Sequence, residues 1–97
     1  MKKCKFYSLV NGTNNKPIAK RWEGYTDGIF NYYKNEYNTW YCIEPSTGLS
    51  IGNDRIRKNL YERVNTPKMF KMVNEKITQD MINRFYDLVM EAELEND

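Results

Sequence analysis

The stretch Thr39-Trp40-Tyr41-Cys42-Ile43-Glu44-Pro45-Ser46-Thr47-Gly48-Leu49-Ser50-Ile51 divides the chain into two kinds of sequence. It reads as a strand, a tight turn and a returning strand. Trp40 and Cys42 alternate with Tyr41 and Ile43, the period of a pleated strand. Pro45 has no amide proton to give a ladder, so the strand ends there. Ser46-Thr47-Gly48 supplies the turn, with Gly48 as its positive-φ residue. Leu49–Ile51 returns, with Trp40 and Cys42 facing Leu49 and Ile51.

Upstream lie short, aromatic, turn-punctuated segments. Cys4–Val10 alternates as a strand, Asn11-Gly12 opens a long polar loop, and Ile18–Glu23 returns before Gly24. Residues 29–34 fit a strand or a helix; their aromatic content and the hairpin behind them favour the strand. Downstream the pattern turns helical. Asn53 or Asp54 caps a first helix whose stripe is Ile56, Leu60 and Val64. Thr66 caps a second, with Pro67 at its first position and Met69, Phe70, Val73 and Ile77 inward. Thr78 opens a last helix to about Glu95, with Met81, Phe85, Leu88, Val89 and Ala92 on its core side. The expected fold is α+β in one domain, residues 1–97. An antiparallel meander of about five short strands fills 1–52, and two to three helices fill 53–97. Its core is Trp40, Cys42, Leu49, Ile51, Ile56, Leu60, Phe70, Phe85 and Val89.

Composition excludes several classes. The chain has 97 residues, no histidine and two cysteines, Cys4 and Cys42. That removes the usual zinc ligand sets and histidine-based bases and nucleophile systems. The cysteines read as buried free thiols. Asp80, Asp87 and Glu91 share one helix face with Arg84 between them and read as a solvated surface, not a metal site. Glu44 reads as a strand-end residue. No catalytic set, cofactor motif, membrane span or secretory leader is recognised, so an enzyme is not expected and the bacterial cytoplasm is the expected location. The abundant asparagine, lysine and tyrosine match A/T-rich codons.

Charge is unevenly placed. Residues 1–76 carry 14 basic and 7 acidic side chains, a balance of +7; residues 77–97 carry 1 and 6, a balance of −5. Arg55, Arg57, Lys58 and Arg63 on the first helix, with Lys68 and Lys71 on the second, could track a phosphate backbone. Tyr32, Tyr33, Trp40 and Tyr41 on the neighbouring strands could stack with bases. Tyr86, Met90 and Leu94 make a second apolar file on the last helix, to be covered from within or by a partner, a second copy included.

The succession Tyr33-Lys34, Trp40-Tyr41-Cys42-Ile43, Thr47-Gly48-Leu49-Ser50-Ile51 and Arg55-x-Arg57-Lys58, within about residues 29–64, resembles small phage and prophage accessory proteins. That resemblance implies a binding protein acting on host machinery, an inhibitor of a defence nuclease in the manner of anti-CRISPR proteins. The three-strand-then-helix order is also similar to integrase-type arm-binding DNA domains. Those put their sheet into a DNA groove, which implicates Tyr32, Lys34, Tyr41 and Arg57 here. The chain departs from them by its extra hairpin, two further helices and acidic end. Three readings follow: a defence inhibitor, a DNA- or RNA-binding regulator, and a nucleotide sponge with tyrosine and arginine at a subunit interface.

Overall fold

The computed structural model describes residues 1–95. Five antiparallel strands form one sheet in chain order: β1 (Lys2–Asn11), β2 (Pro17–Thr26), β3 (Asn31–Lys34), β4 (Trp40–Ile43) and β5 (Ser50–Asp54). Three helices follow, α1 (Arg57–Val64), α2 (Pro67–Lys76) and α3 (Gln79–Glu95). The α+β order expected from sequence is the order found, and residues 31–34 are strand.

The first hairpin is longer than its pattern suggested. β1 and β2 pair from Lys2↔Thr26 to Asn11↔Pro17 around a single 3₁₀ turn at Thr13–Asn15. Asn14 and Asn15 take φ of 63° and 58°, a region that asparagine tolerates better than most residues. β2 also runs through Gly24, which the sequence marked as a break. A Cβ there would collide with the backbone of Tyr32. The glycine serves close approach between β2 and β3 instead of a turn.

The central hairpin keeps its strand–turn–strand order and loses its expected register. Trp40 pairs with Asp54 and Cys42 with Gly52, not with Leu49 and Ile51, and a bulge falls between Cys42 and Ile43. The cause is the turn, which runs to Leu49 and is organised by the Glu44 side chain. Both Glu44 oxygens accept from Ser46 and Thr47, whose backbone N–H groups each donate at 2.9 Å and whose hydroxyls approach to 2.7 and 2.6 Å. Gly48 sits at φ 68° and lies against the Phe85 ring, leaving no room for a Cβ.

Strand alternation puts aromatic side chains on both faces of the sheet. One face carries Tyr32 and Cys42, which pack with Phe30, Leu60, Val64 and Val73 under α1 and α2. Burial pushes the Cys42 thiol up to about 12. The other face carries Phe6, Tyr33 and Ile43, with Cys4, Trp22 and Tyr41 against them and no helix residue in the cluster. Both cysteines are free thiols. Of the expected core, Cys42, Leu60 and Phe85 are buried, and Trp40, Ile51, Phe70 and Val89 are half-buried. Leu49 and Ile56 are not core residues. The wide turn leaves Leu49 at the surface, and Ile56 is the extended N-cap of α1, 56% exposed.

Caps on the later helices are as the sequence implied. The Thr66 hydroxyl accepts from the Met69 N–H at 3.1 Å with Pro67 next in line, and the Thr78 hydroxyl accepts from Met81 at 3.2 Å. α1 starts later than expected. Asp54 accepts from the Ile56 N–H at 2.9 Å, and the helix begins at Arg57 with no side-chain cap on its N-terminal amides. No helix among the described residues is long and apolar enough to cross a membrane.

Candidate nucleic-acid interface

One concave surface of the protein begins with a turn. After β2, Asp27 accepts from the Ile29 and Phe30 N–H groups at 2.8 and 2.7 Å, closing residues 27–30 into a loop. Its other oxygen accepts from the Tyr32 hydroxyl at 2.6 Å and from the Asn65 amide at 3.1 Å. Asn65 ends α1, and its amide also reaches the Tyr32 oxygen and the Tyr61 carbonyl, each at 3.0 Å. One carboxylate therefore ties the β2–β3 turn, the core of the sheet and the C-terminus of α1 together. Burial alone would raise the Asp27 pKa, but donors from Tyr32, Phe30, Ile29 and Asn65 outweigh it and hold the carboxyl below its ordinary value. Burial, and then the bond to Asp27, push the Tyr32 phenol far above its ordinary range, so it stays a donor.

Above this brace lies an open cleft of about 920 Å³. Its walls are Met1 and Lys2 at the start of the first strand, Thr26–Gly28, the N-cap Ile56, and Arg57, Lys58 and Tyr61 of α1. The Arg57 guanidinium lies 5.1 Å from the centroid of Tyr25 and 5.3 Å from that of Trp40. Two half-buried rings thus support and orient it. Lys2, Arg57 and Lys58 have no carboxylate within ion-pair distance among the described residues; the ion pairs there are Lys5–Glu23 and Arg63–Asp54. The Asp27 charge in the wall is engaged by its own four donors. Tyr61, 40% exposed, leans on buried Tyr32 with ring centroids 6.4 Å apart.

The residues named from sequence scatter around this cleft. Arg57 and Lys58 line it, and Arg55 is exposed two positions before Arg57. Arg63 is engaged elsewhere, with Asp54 at 3.4 Å and with the Asn53 carbonyl, and clamps α1 to β5. Lys34 is exposed at the end of β3, opposite Trp40. Lys71 is exposed on α2 and does not line the cleft.

Tyr32 is the clear correction. It is fully buried on the face that α1 and α2 cover, so it cannot meet a ligand. Tyr41 sits on the opposite face in a column of rings. Trp22 stacks on Tyr33 at 3.9 Å and Tyr33 on Tyr41 at 5.3 Å, while Lys20 covers the outer face of Trp22. That column satisfies most of its own ring faces. Lys2, Tyr25, Ile56 and Tyr61 were missed. The available signal was Tyr61 at i+4 from Arg57, one face of one helix.

Elsewhere the surface is different in kind. Tyr86, Met90 and Leu94 are 64%, 42% and 70% exposed, so no helix of the chain covers the second file of α3. Asp80, Asp87 and Glu91 run beside it, and no cluster of metal-ligating side chains forms among the described residues. Comparison with protein-family models, with curated proteins and with solved structures finds no match to this chain.

Proposed function

We propose that this protein is a non-enzymatic binding protein that engages nucleic acid through the cationic cleft at the start of α1. The observation that carries the reading is Arg57, fixed on two rings beside Lys58 and Lys2 in a concave surface, none of them within ion-pair distance of a carboxylate among the described residues. Guanidinium forks and ammonium groups left free in this way suit phosphate oxygens. The uncapped amides of α1 add partial positive charge on the same side. Binding of this kind is expected to weaken steeply with salt, by about 0.7 in log–log slope for each phosphate neutralised on a single strand. Fluorescence anisotropy with a labelled oligonucleotide across a potassium chloride series measures that slope. Replacing both Arg57 and Lys58 by alanine is expected to lower it by about 1.4. A wild-type protein that leaves the oligonucleotide free at low salt overturns the reading.

A second reading is a phage-type inhibitor of a host defence nuclease, acting on the nuclease or on its loading with nucleic acid. The exposed file on α3, bordered by carboxylates, favours it, because an apolar strip with an acidic margin complements the basic surfaces that such enzymes present. Phage plating on a defence-competent host, with and without the protein expressed, tests it; unchanged plating together with no nuclease subunit recovered on the purified protein removes it.

A further inference from the structure

The cleft holds more than a set of cations. Ile56 is 56% exposed and Tyr61 is 40% exposed, and both stand in the same wall as Arg57 and Lys58. A site that reads only a phosphate backbone leaves such side chains idle. Their exposure beside three free cations has a use if a base enters the cleft along with its phosphate.

The geometry points to single-stranded nucleic acid as the ligand, with one unpaired base laid on Tyr61 and Ile56 and the flanking phosphates on Arg57, Lys58 and Lys2. Three features support it, and it rests on the proposed function above. Arg57 and Tyr61 are four residues apart on α1, so their side chains rise from one helix face about 5–6 Å apart. That separation suits the base and phosphate of one nucleotide. Tyr61 is also held in place. Buried Tyr32 backs it, Asp27 and Asn65 fix Tyr32, and Asn65 grips the Tyr61 carbonyl. A ring held this way loses little freedom when a base stacks on it. Finally, the Arg57 guanidinium lies 5.1 Å from the Tyr25 ring and 5.3 Å from the Trp40 ring, so two half-buried rings hold the cation beside the cleft in which Tyr61 stands. The bases of a duplex are stacked and paired, and could not use the ring.

The test separates the base from the backbone. Anisotropy of the full chain is compared on a labelled twelve-nucleotide thymidine strand, an abasic strand of equal length and charge, and a twelve-base-pair duplex. The thymidine strand is expected to bind at least about ten-fold more tightly than the abasic one, a factor equal to roughly 1.4 kcal/mol. Tyr61→Leu should erase that preference, so that the thymidine and abasic strands bind equally, while Tyr61→Phe should keep it. Circular dichroism confirms that each variant is folded. Equal, salt-sensitive binding of thymidine and abasic strands overturns this inference and leaves the polyanion reading standing, as does tighter binding of the duplex. Binding to none of the three at low salt overturns both.

Discussion

Two carboxylates, Asp27 and Glu44, organise two turns of this protein and do so over very different distances. Glu44 takes every donor from the next three residues, and its turn closes on itself. Asp27 uses one oxygen for its own loop and the other for Tyr32 and for Asn65, 38 positions along the chain. Both carboxyls sit below their ordinary pKa for the same reason, a surplus of donors over the cost of burial. Their consequences differ. The Glu44 turn sets a register and seats α3; the Asp27 turn holds up the wall of the cleft.

The strongest way to break the Glu44 turn is through its glycine. Gly48 combines φ 68° with contact against Phe85, so valine there meets a forbidden backbone region and an occupied space at once. Gly48→Val should destabilise by about 3–5 kcal/mol, measured by urea unfolding at neutral pH. Because Leu9 also donates to the Gly48 carbonyl at 2.8 Å, the damage should reach the first hairpin. A variant with unchanged unfolding midpoint would show that the turn tolerates a side chain.

Alanine at each carboxylate sharpens the contrast. Asp27→Ala removes a charged acceptor from four donors and should cost about 2–4 kcal/mol; Glu44→Ala, which leaves the donors of buried Thr47 unpaired, should cost a similar amount. The informative difference is in binding. Loss of Asp27 frees Tyr32, Asn65 and therefore Tyr61, so affinity for an oligonucleotide should fall with stability. Loss of Glu44 should leave affinity unchanged under conditions where both variants are folded. Equal effects on binding would show that the brace does not support the cleft.

The two turns should behave alike toward acid. Each carboxyl has a folded pKa below the ordinary 3.8 or 4.5, so each stabilises fully above about pH 5. That contribution is lost as pH falls through the folded values, because the unfolded chain takes up the proton first. Thermal melts should therefore be nearly flat in this respect from pH 7 to pH 5 and drop below pH 4. The gap between wild type and either alanine variant should narrow over the same interval, and a constant gap would mean that the charge is not what holds the turn.

Local chemistry was legible in the sequence, and distant chemistry was not. Thr66-Pro67 and Thr78 announce helix starts through contacts three residues long, and the order of strands and helices follows from such signals. The register of β5 failed because Glu44 enlarged the turn, and a side chain bonding to its own loop is not visible in a period-two pattern. Alternation also assigns Tyr32 and Tyr33 to opposite faces without saying which face the helices cover. Both faces are rich in rings, so the choice of Tyr32 as a contact could not be checked against its neighbours. Tyr61 gained its place only through Asn65 and Asp27, a link across 38 residues.

The smallest effect separates the cleft from the other exposed surface. Tyr86, Met90 and Leu94 make a file that calls for cover from within or from a partner, and their exposure leaves a partner surface open. At 100° per residue, Asp80, Asp87 and Glu91 lie along one margin of that file. In an antiparallel two-fold pairing each helix margin meets its own copy, so carboxylates would face carboxylates. Such a dimer is weakened at low salt and relieved by screening, the reverse of the expected salt response of the cleft. Light scattering at 50 mM and 500 mM salt, on wild type and Met90→Glu, reads this directly. If a second copy uses the file, the apparent mass should rise with salt and the variant should stay monomeric. A wild-type monomer at both salts, at high protein concentration, leaves the face to a partner of opposite charge. In neither case should Met90→Glu change oligonucleotide affinity by more than about two-fold, since the file and the cleft share no residue.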